Sequence, residues 1–188
     1  MPRKYELQKR AEKQAATRQR IVESIAKLHS EVGPARTTVS AVAELANVER
    51  LTVYRHFPTE ASMFQACGLH WRTLHPRPDT EAWMLISDPL ERLGHALDEL
   101  YQFYDETEGM SGNILRDEQV LPDLAKAANF HGWLELATER ICAAWPGEEQ
   151  NQVKPAVRLA LDFHTWQLLV RQMGVQPDLA RNLVLKLL

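Results

Sequence analysis

One run of seven residues concentrates side chains suited to contacting a nucleic acid. Residues 50–56 read Arg-Leu-Thr-Val-Tyr-Arg-His. An arginine can donate two parallel hydrogen bonds to a guanine edge, a leucine can pack on a thymine methyl, and hydroxyl or imidazole groups can hydrogen-bond phosphates. If the run is helical, Val53 faces inward. The side chains expected to face outward are Arg50, Leu51, Thr52, Tyr54, Arg55 and His56.

The residues before this run predict two helices that would hold it in place. Apolar residues recur from Ile21 at spacings of four, three and four, which is typical of one face of a helix over residues 12–32. Gly33-Pro34 ends that helix. Thr37-Thr38 begins the second helix, because a threonine oxygen can accept hydrogen bonds from the free amides of a first turn.

A turn of three residues, Asn47-Val48-Glu49, separates the second helix from the third. Asn47 suits the end of a helix because asparagine tolerates a positive φ. Phe57-Pro58 closes the third helix. This spacing predicts a helix-turn-helix, in which the second helix lies over the DNA backbone and the third enters the major groove.

This segment resembles the TetR family of transcriptional repressors over about residues 15–68. The run Thr-Val-Tyr-Arg-His-Phe-Pro at 52–58 is its most specific part. The residues that carry the resemblance are Ile21, Val22, Ala26, Gly33, Thr37, Thr38, Val39, Ala43, Ala46, Val48, Thr52, Tyr54, His56, Phe57 and Pro58.

The resemblance implies a role for each outward residue. Thr38 is expected to contact a phosphate or base while it caps the second helix, and Arg50, Leu51 and Thr52 to begin the recognition helix. Tyr54 and His56 resemble the phosphate-contacting pair of the family, although a histidine here can instead serve in capping or packing. Further candidates for backbone contacts are Arg55, Arg36, Arg18 and Arg20.

Three positions depart from the family pattern. Asn47 stands where relatives usually have glycine, and Leu51 stands where they usually have a small residue or proline. Glu60 replaces a lysine that normally meets a phosphate. An acidic residue in the first turn of a helix is favoured by the helix dipole, but it would repel a phosphate. One backbone contact is therefore expected to be lost, and the basic N-terminal residues are a candidate for compensating it.

The fold class predicted for the whole chain is all-α, with about nine helices and no repeats. Two domains are predicted, 1–75 for DNA binding and 76–188 for ligand binding and dimerisation, with the boundary at His75-Pro76-Arg77-Pro78-Asp79. Beyond the boundary the predicted elements are a helix from Asp88-Pro89 to about Glu106, a turn at 109–112, a helix at 113–119, a long helix from Pro122 to about Trp145, and helices over 148–172 and 178–188.

The resemblance implies two roles for the second domain. Its last two helices are expected to form a homodimer interface with residues Leu161, Leu169, Val170, Leu179, Leu183, Val184 and Leu187. Its middle helices are expected to bind a small apolar or aromatic ligand, unless these side chains are ordinary core. The candidate ligand-binding residues are Trp83, Tyr101, Phe103, Tyr104, Met110, Arg116, Phe130, Trp133, His164 and Trp166.

Charge and composition agree with a nucleic-acid-binding head. Residues 1–60 hold eleven Lys and Arg against seven Asp and Glu, a net charge of +4, and the first twenty residues alone carry +5 from seven bases and two acids. The remaining residues carry −7, from eleven bases and eighteen acids. A basic head on an acidic body favours a polyanion as partner, although a solvated helix face would look similar.

Other protein classes find little support in the sequence. The chain has no apolar stretch typical of a signal peptide or a membrane span, so a cytoplasmic location is expected. No catalytic or nucleotide-binding motif is present, His70 and His75 are badly spaced for a metal, and neither an enzyme nor a cofactor is predicted. The open alternatives are an activator, a regulator without a ligand, and a helical small-molecule-binding or scaffold protein that has lost sequence-specific DNA binding.

Overall fold

A computed structural model describes residues 2–187, with side chains from Tyr5 onward. Over that range the chain is helical and contains no strand, which confirms the all-α class. Eleven α-helices are present rather than about nine. They are α1 (Pro2–Glu31), α2 (Val39–Leu45), α3 (Arg50–His56), α4 (Glu60–Leu74), α5 (Thr80–Trp83), α6 (Pro89–Asp117), α7 (Pro122–Ala128), α8 (Phe130–Cys142), α9 (Glu149–Ala160), α10 (Phe163–Trp166) and α11 (Pro177–Leu185). A 3₁₀ turn covers Pro34–Arg36, and a π-helix covers Gln167–Gln172.

The chain divides into two compact units that are not contiguous in sequence. Unit 1 comprises the residues up to Leu74 together with Gly109–Ala128, and unit 2 comprises His75–Glu108 together with the residues from Asn129 onward. The division at residues 74 and 75 lies next to the predicted boundary, but the return of 109–128 to unit 1 was not predicted. The assignment of functions to domains 1–75 and 76–188 stays a prediction.

Unit 1 is built on the three predicted N-terminal helices. Ile21, Ile25, Val42 and Val53 are almost completely buried in one cluster, with Val39, Val48 and Met63 packed around it. Burying one such aliphatic side chain contributes roughly 1.5–3 kcal/mol. Helix α4 packs against α1 and α7. The tilt of α3 therefore depends on apolar contacts from several helices.

The last turns of α6 hold the end of α1 through hydrogen bonds. Asn113 Nδ2 donates to the carbonyl oxygens of His29 and Ser30 at 3.0 and 2.8 Å, and Arg116 Nη2 donates to that of Val32 at 3.2 Å. The last carbonyls of a helix have no partner inside the helix, so these donors satisfy them. Asp117 accepts a hydrogen bond from the Ala35 amide at 2.9 Å. The chain after α1 is thereby tied to the end of α6.

Gly33 is required where α1 gives way to this loop. Its φ is +94°, which residues with a side chain rarely adopt. A Cβ at this position would also lie 2.6 Å from Asp117 Oδ2 and closer still to the Arg116 guanidinium. The predicted stop at Gly33-Pro34 is confirmed, and the close approach of α6 adds a second reason for the glycine.

The predicted turn at 109–112 is wrong, because α6 continues through it to Asp117. A glycine inside a helix costs about 1 kcal/mol relative to alanine, which made a turn the expected result. Here Gly109 allows a close approach, since a Cβ on it would lie 3.0 Å from the Ser30 carbonyl oxygen. Met110, the next residue, is buried in the core of unit 1.

Two long predicted helices are interrupted. The helix predicted from Pro122 to about Trp145 is α7 and α8, separated by Asn129 with a left-handed φ of 46°. The helix predicted over 148–172 is α9, α10 and the π-helix. The break before α10 arises because the Asp162 side chain accepts from the His164 amide at 2.9 Å and caps a new helix.

Unit 2 buries an aliphatic layer of α6 and α8 together with one arginine. Leu93, Leu97, Leu134 and Ile141 are fully buried. The guanidinium of buried Arg92 donates to the carbonyl oxygens of residues 86 and 140, both at 2.7 Å, and of residue 84 at 3.3 Å. Because these acceptors lie in the loop after α5 and near the end of α8, Arg92 fixes both segments against α6.

Candidate nucleic-acid interface and aromatic cluster

Helix α3 presents its polar and cationic side chains to solvent because two apolar residues anchor it. Val53 and Phe57 are buried in unit 1. Leu51 is 55 % exposed and Tyr54 45 % exposed. Among the other predicted contacts on this helix, Arg50 and Arg55 are exposed, and Thr52 and His56 are half-buried. The structure thus brings all six predicted side chains together on one short helix.

The start of α2 has the predicted geometry. The Thr38 hydroxyl accepts a hydrogen bond from the Ala41 amide at 3.1 Å, while the side chain stays exposed. Arg36 is exposed at the end of the 3₁₀ turn. Asn47 has a φ of +52°, which confirms that it ends α2 through a left-handed residue. The Val48 amide then donates to the Ala43 carbonyl oxygen at 2.9 Å, which closes the turn before α3.

Two arginines of α1 lie beside the recognition elements. The Arg18 guanidinium stacks on the Phe57 ring, 4.8 Å from its centroid, at the C-terminal end of α3. Arg20 lines a surface groove of about 420 Å³ together with Asn47 of the turn. Arg18 is therefore adjacent to the C-terminal end of α3, and Arg20 is adjacent to the turn that precedes α3.

Glu60 is the first residue of α4 and is exposed. Its helix is capped by a reciprocal pair, since the Thr59 hydroxyl accepts from the Ser62 amide at 3.1 Å and the Ser62 hydroxyl accepts from the Thr59 amide at 3.3 Å. The position of Glu60 suits its structural role at the positive end of a helix dipole. The effect of this carboxylate on a phosphate stays a prediction.

Comparison with protein families identifies this segment. Residues 21–67 match the family described as bacterial regulatory proteins, tetR family. The segment belongs to the TetR family. The match begins at Ile21, the first core residue of α1, and ends at Cys67 in α4. It therefore covers the entire helix-turn-helix of this TetR-family domain and leaves the earlier residues of α1 outside it.

Solved structures extend the likeness to the whole fold. NalD, the secondary repressor of the MexAB-OprM multidrug efflux pump in Pseudomonas aeruginosa, is 22 % identical with a TM-score of 0.60, over 93 % of this chain and 94 % of its own. The multidrug binding protein EbrR, solved with imidazole, is 20 % identical with a TM-score of 0.54, over 91 % of this chain and 89 % of its own. A TetR-family transcriptional regulator from Streptomyces coelicolor is 18 % identical with a TM-score of 0.53, over 90 % and 78 %. No curated protein matches by sequence.

Most of the predicted ligand-binding aromatics gather around Tyr104 in unit 2. Its ring lies 5.3 Å from Phe163, 5.7 Å from Trp166 and 6.2 Å from Phe130, measured between centroids. Its hydroxyl donates to the Leu161 carbonyl oxygen at 2.6 Å. We call this group, with its neighbours, the aromatic cluster. The other predicted members in or beside it are Trp83, Tyr101, Phe103 and Trp133.

Two predicted ligand residues, Met110 and Arg116, lie outside the aromatic cluster, and a third, His164, lies at its exposed edge with its ring 5.7 Å from that of Phe163. Met110 and Arg116 lie in unit 1, where Met110 is core and Arg116 pairs with Asp117 at 2.7 Å. The reason is that α6 continues past 109–112 and carries both residues into that unit. His164 is exposed, with its Nδ1 3.1 Å from Asp162 Oδ1. Phe163 was not among the predicted residues, although its ring lies 5.3 Å from that of Tyr104.

Two buried donors in unit 2 have no hydrogen-bond partner among the described residues. They are the Tyr101 hydroxyl and Trp166 Nε1. Burial raises the pKa of Tyr101 to about 12, so the hydroxyl keeps its proton at neutral pH. By contrast, Trp83 Nε1 donates to Glu99 at 2.7 Å. An unpaired buried donor costs free energy, so these two groups favour an acceptor.

The predicted dimer residues divide between core and surface. Leu161 and Val184 are buried within the protomer, so neither contributes an exposed apolar group. Leu169 and Val170 are half-buried on the π-helix. Leu179, Leu183 and Leu187 are exposed, Leu187 by 85 %. The exposed part of the predicted interface is therefore mainly one face of α11 and the turns that follow it.

Two buried titratable groups of unit 1, His29 and Cys67, are held in their neutral forms. Burial lowers the pKa of His29 to about 4, with Asp117 acting weakly in the opposite direction. Burial likewise raises the pKa of the Cys67 thiol to about 12.

In the part of the chain described by the structure, no cluster of three or more metal-ligating side chains occurs, and no helix is long and apolar enough to cross a membrane.

Proposed function

We propose that the chain is a ligand-responsive transcriptional regulator, acting as a repressor, that binds a palindromic DNA operator as a homodimer. The observation that carries this proposal is α3 itself. In a TetR-family domain, Val53 of this helix is buried while Arg50, Leu51, Tyr54 and Arg55 are exposed. A helix of this kind fits the major groove, where arginine can read a guanine.

Two-fold pairing would bring two such helices onto one operator. For dimeric helix-turn-helix proteins, the recognition helices lie about 34–36 Å apart, which is one turn of DNA. The exposed leucines of α11 supply a self-complementary apolar surface for this pairing. The same leucines would otherwise be exposed to water.

The ligand in this proposal is a small, largely apolar or aromatic molecule that carries a hydrogen-bond acceptor. The aromatic cluster supplies the apolar contacts, and the Tyr101 hydroxyl and Trp166 Nε1 supply donors without partners. The fold is shared with a repressor of a multidrug pump and with a multidrug binding protein. The ligand would bind more tightly to a conformation of the dimer in which the spacing of the two recognition helices no longer fits DNA, and so would shift the population toward that conformation.

The test begins with selection of binding sites from random duplex DNA by the purified chain. The expected result is a palindromic operator, followed by release of that operator by some members of a library of small aromatic compounds. A helical scaffold that has lost DNA binding would enrich no sequence. If no duplex is retained above a nonspecific background, the proposed function is wrong.

A further inference from the structure

Helix α1 extends far beyond the core that it helps to form. Its thirty residues begin at Pro2, but its first buried side chain among the described residues is Ile21. Every side chain from Tyr5 to Ala16 is exposed. Sixteen residues, 5–20, thus form a helical arm about 24 Å long at 1.5 Å per residue. This arm lies outside the segment that matches the TetR family.

The arm is basic and lacks an apolar face. Within residues 5–20 there are five cationic side chains against two carboxylates, Glu6 and Glu12. Lys9, Lys13 and Arg20 fall within about 40° of one another at 100° per residue, so they share one face. Neither Lys9 nor Lys13 forms an ion pair with another residue of the described chain. The large apolar residues of the arm are only Tyr5 and Leu7, which is poor for a membrane-surface helix.

The base of the arm is next to the recognition elements. Arg18 stacks on Phe57 at the end of α3, and Arg20 shares a groove with Asn47 of the turn. A DNA duplex in contact with α3 would therefore run close to the point where the arm begins. Charge complementarity then selects the partner, because a duplex carries a phosphate charge about every 1.7 Å along its axis.

We propose that this arm is a second DNA-binding surface, which contacts phosphates beyond the segment read by α3. The proposal rests on the proposed function, in that it requires the head to bind DNA. A 24 Å arm spans about seven base pairs at 3.4 Å each. Its contacts are with the backbone and are independent of sequence. These arm contacts compensate for the phosphate contact that is lost because Glu60 repels a phosphate.

The test compares two double variants with the same change in net charge. Lys9→Gln/Lys13→Gln removes two arm charges, and Lys126→Gln/Lys154→Gln removes two surface charges far along the sequence, outside α11 and the turns after it, as the control. Affinity is measured by fluorescence anisotropy on a labelled 40-base-pair duplex of mixed sequence and on one carrying the selected operator, between 0.05 and 0.5 M salt. Circular dichroism checks that both variants keep their helicity.

Each lost phosphate contact flattens the plot of log affinity against log salt by about 0.9. In a homodimer the arm variant removes four such contacts, so it should lose a slope of about 3.6 and bind about 4,000-fold more weakly at 0.1 M salt, on both duplexes. The control variant should match the unmodified chain. An arm variant that behaves like the control refutes the arm as a DNA surface while leaving the proposed function intact.

Hydroxyl-radical footprinting supplies a second measurement. Removal of residues 2–16 deletes no described side chain that is buried, so the head should stay folded. The truncated chain should lose protection over up to about seven base pairs next to each recognition site. An unchanged footprint contradicts the proposal, as does an arm variant that keeps its DNA affinity but loses binding to phosphatidylglycerol vesicles. A full chain that binds neither duplex would instead refute the proposed function.

Discussion

The buried histidine of the head predicts an acid-sensitive fold. His29 lies in α1, is 3 % exposed and packs against the ring of Phe64, 5.9 Å between centroids. Its pKa falls from the ordinary value of 6.5 to about 4 because burial disfavours the charged imidazolium. The unfolded chain therefore binds a proton that the folded chain excludes between these two values.

The size of the effect follows from the shift. Each pKa unit corresponds to about 1.4 kcal/mol, so the free energy of unfolding falls by about 3 kcal/mol once the pH is below 4. At pH 5 about 2 kcal/mol of that loss has already occurred. The stability is complete above pH 6.5, decreases as the pH falls from 6.5 toward 4, and decreases no further through this group below about pH 4.

Urea unfolding at pH 7.5 and pH 5.0 measures this loss. His29→Leu removes the titrating group while keeping an apolar side chain of suitable size. This variant should lose about 2 kcal/mol less stability between the two pH values than the unmodified chain. His164→Leu, which removes an exposed imidazole, is the control and should behave like the unmodified chain. Equal losses for the unmodified chain and His29→Leu would refute the assignment of a neutral buried histidine.

Two further substitutions test the DNA and dimer surfaces. Glu60→Lys should tighten binding to operator and mixed-sequence DNA alike and steepen the salt slope of the homodimer by about 1.8, which is about 0.9 for each protomer. An unchanged slope would show that residue 60 points away from the backbone. Leu183→Glu places a charge on the exposed apolar face of α11, so analytical ultracentrifugation should show folded monomers. These monomers should bind a palindrome no better than two separate half-sites. A Leu183→Glu protein that stays dimeric and binds the palindrome tightly would contradict the interface.

The helix-turn-helix was predicted closely from sequence because its signals are local. Thr38 caps α2 with its own side chain, and Asn47 and Gly33 take the positive φ values that end their elements. Val53 is buried, as expected for the inward-facing position of a helix over residues 50–56. In each case a residue and its immediate neighbours determine the local backbone conformation, so the helix-turn-helix could be predicted without knowledge of distant contacts.

The second half was harder to predict because distant contacts determine it. Nothing near Gly109 in sequence shows that the Ser30 carbonyl oxygen will lie against it, so a glycine inside a helix was interpreted as a turn. Because α6 continues, Met110 and Arg116 lie in unit 1, whereas the aromatic cluster lies in unit 2. Leu161 was assigned to a dimer surface because an apolar stripe has the same spacing whether it faces a partner or its own core.

The central claim is that α3 reads DNA sequence, and parallel operator selections with the unmodified chain and Arg50→Ala test it most directly. Arg50 is exposed at the first position of α3, and loss of a bidentate contact to guanine costs about 1–3 kcal/mol of discrimination at one base pair. The claim predicts that Arg50→Ala selects the same palindrome with one symmetric pair of positions relaxed. Tyr54→Phe should instead weaken binding to all sequences nearly alike. An operator from Arg50→Ala that is identical at every position would contradict this placement of the recognition helix.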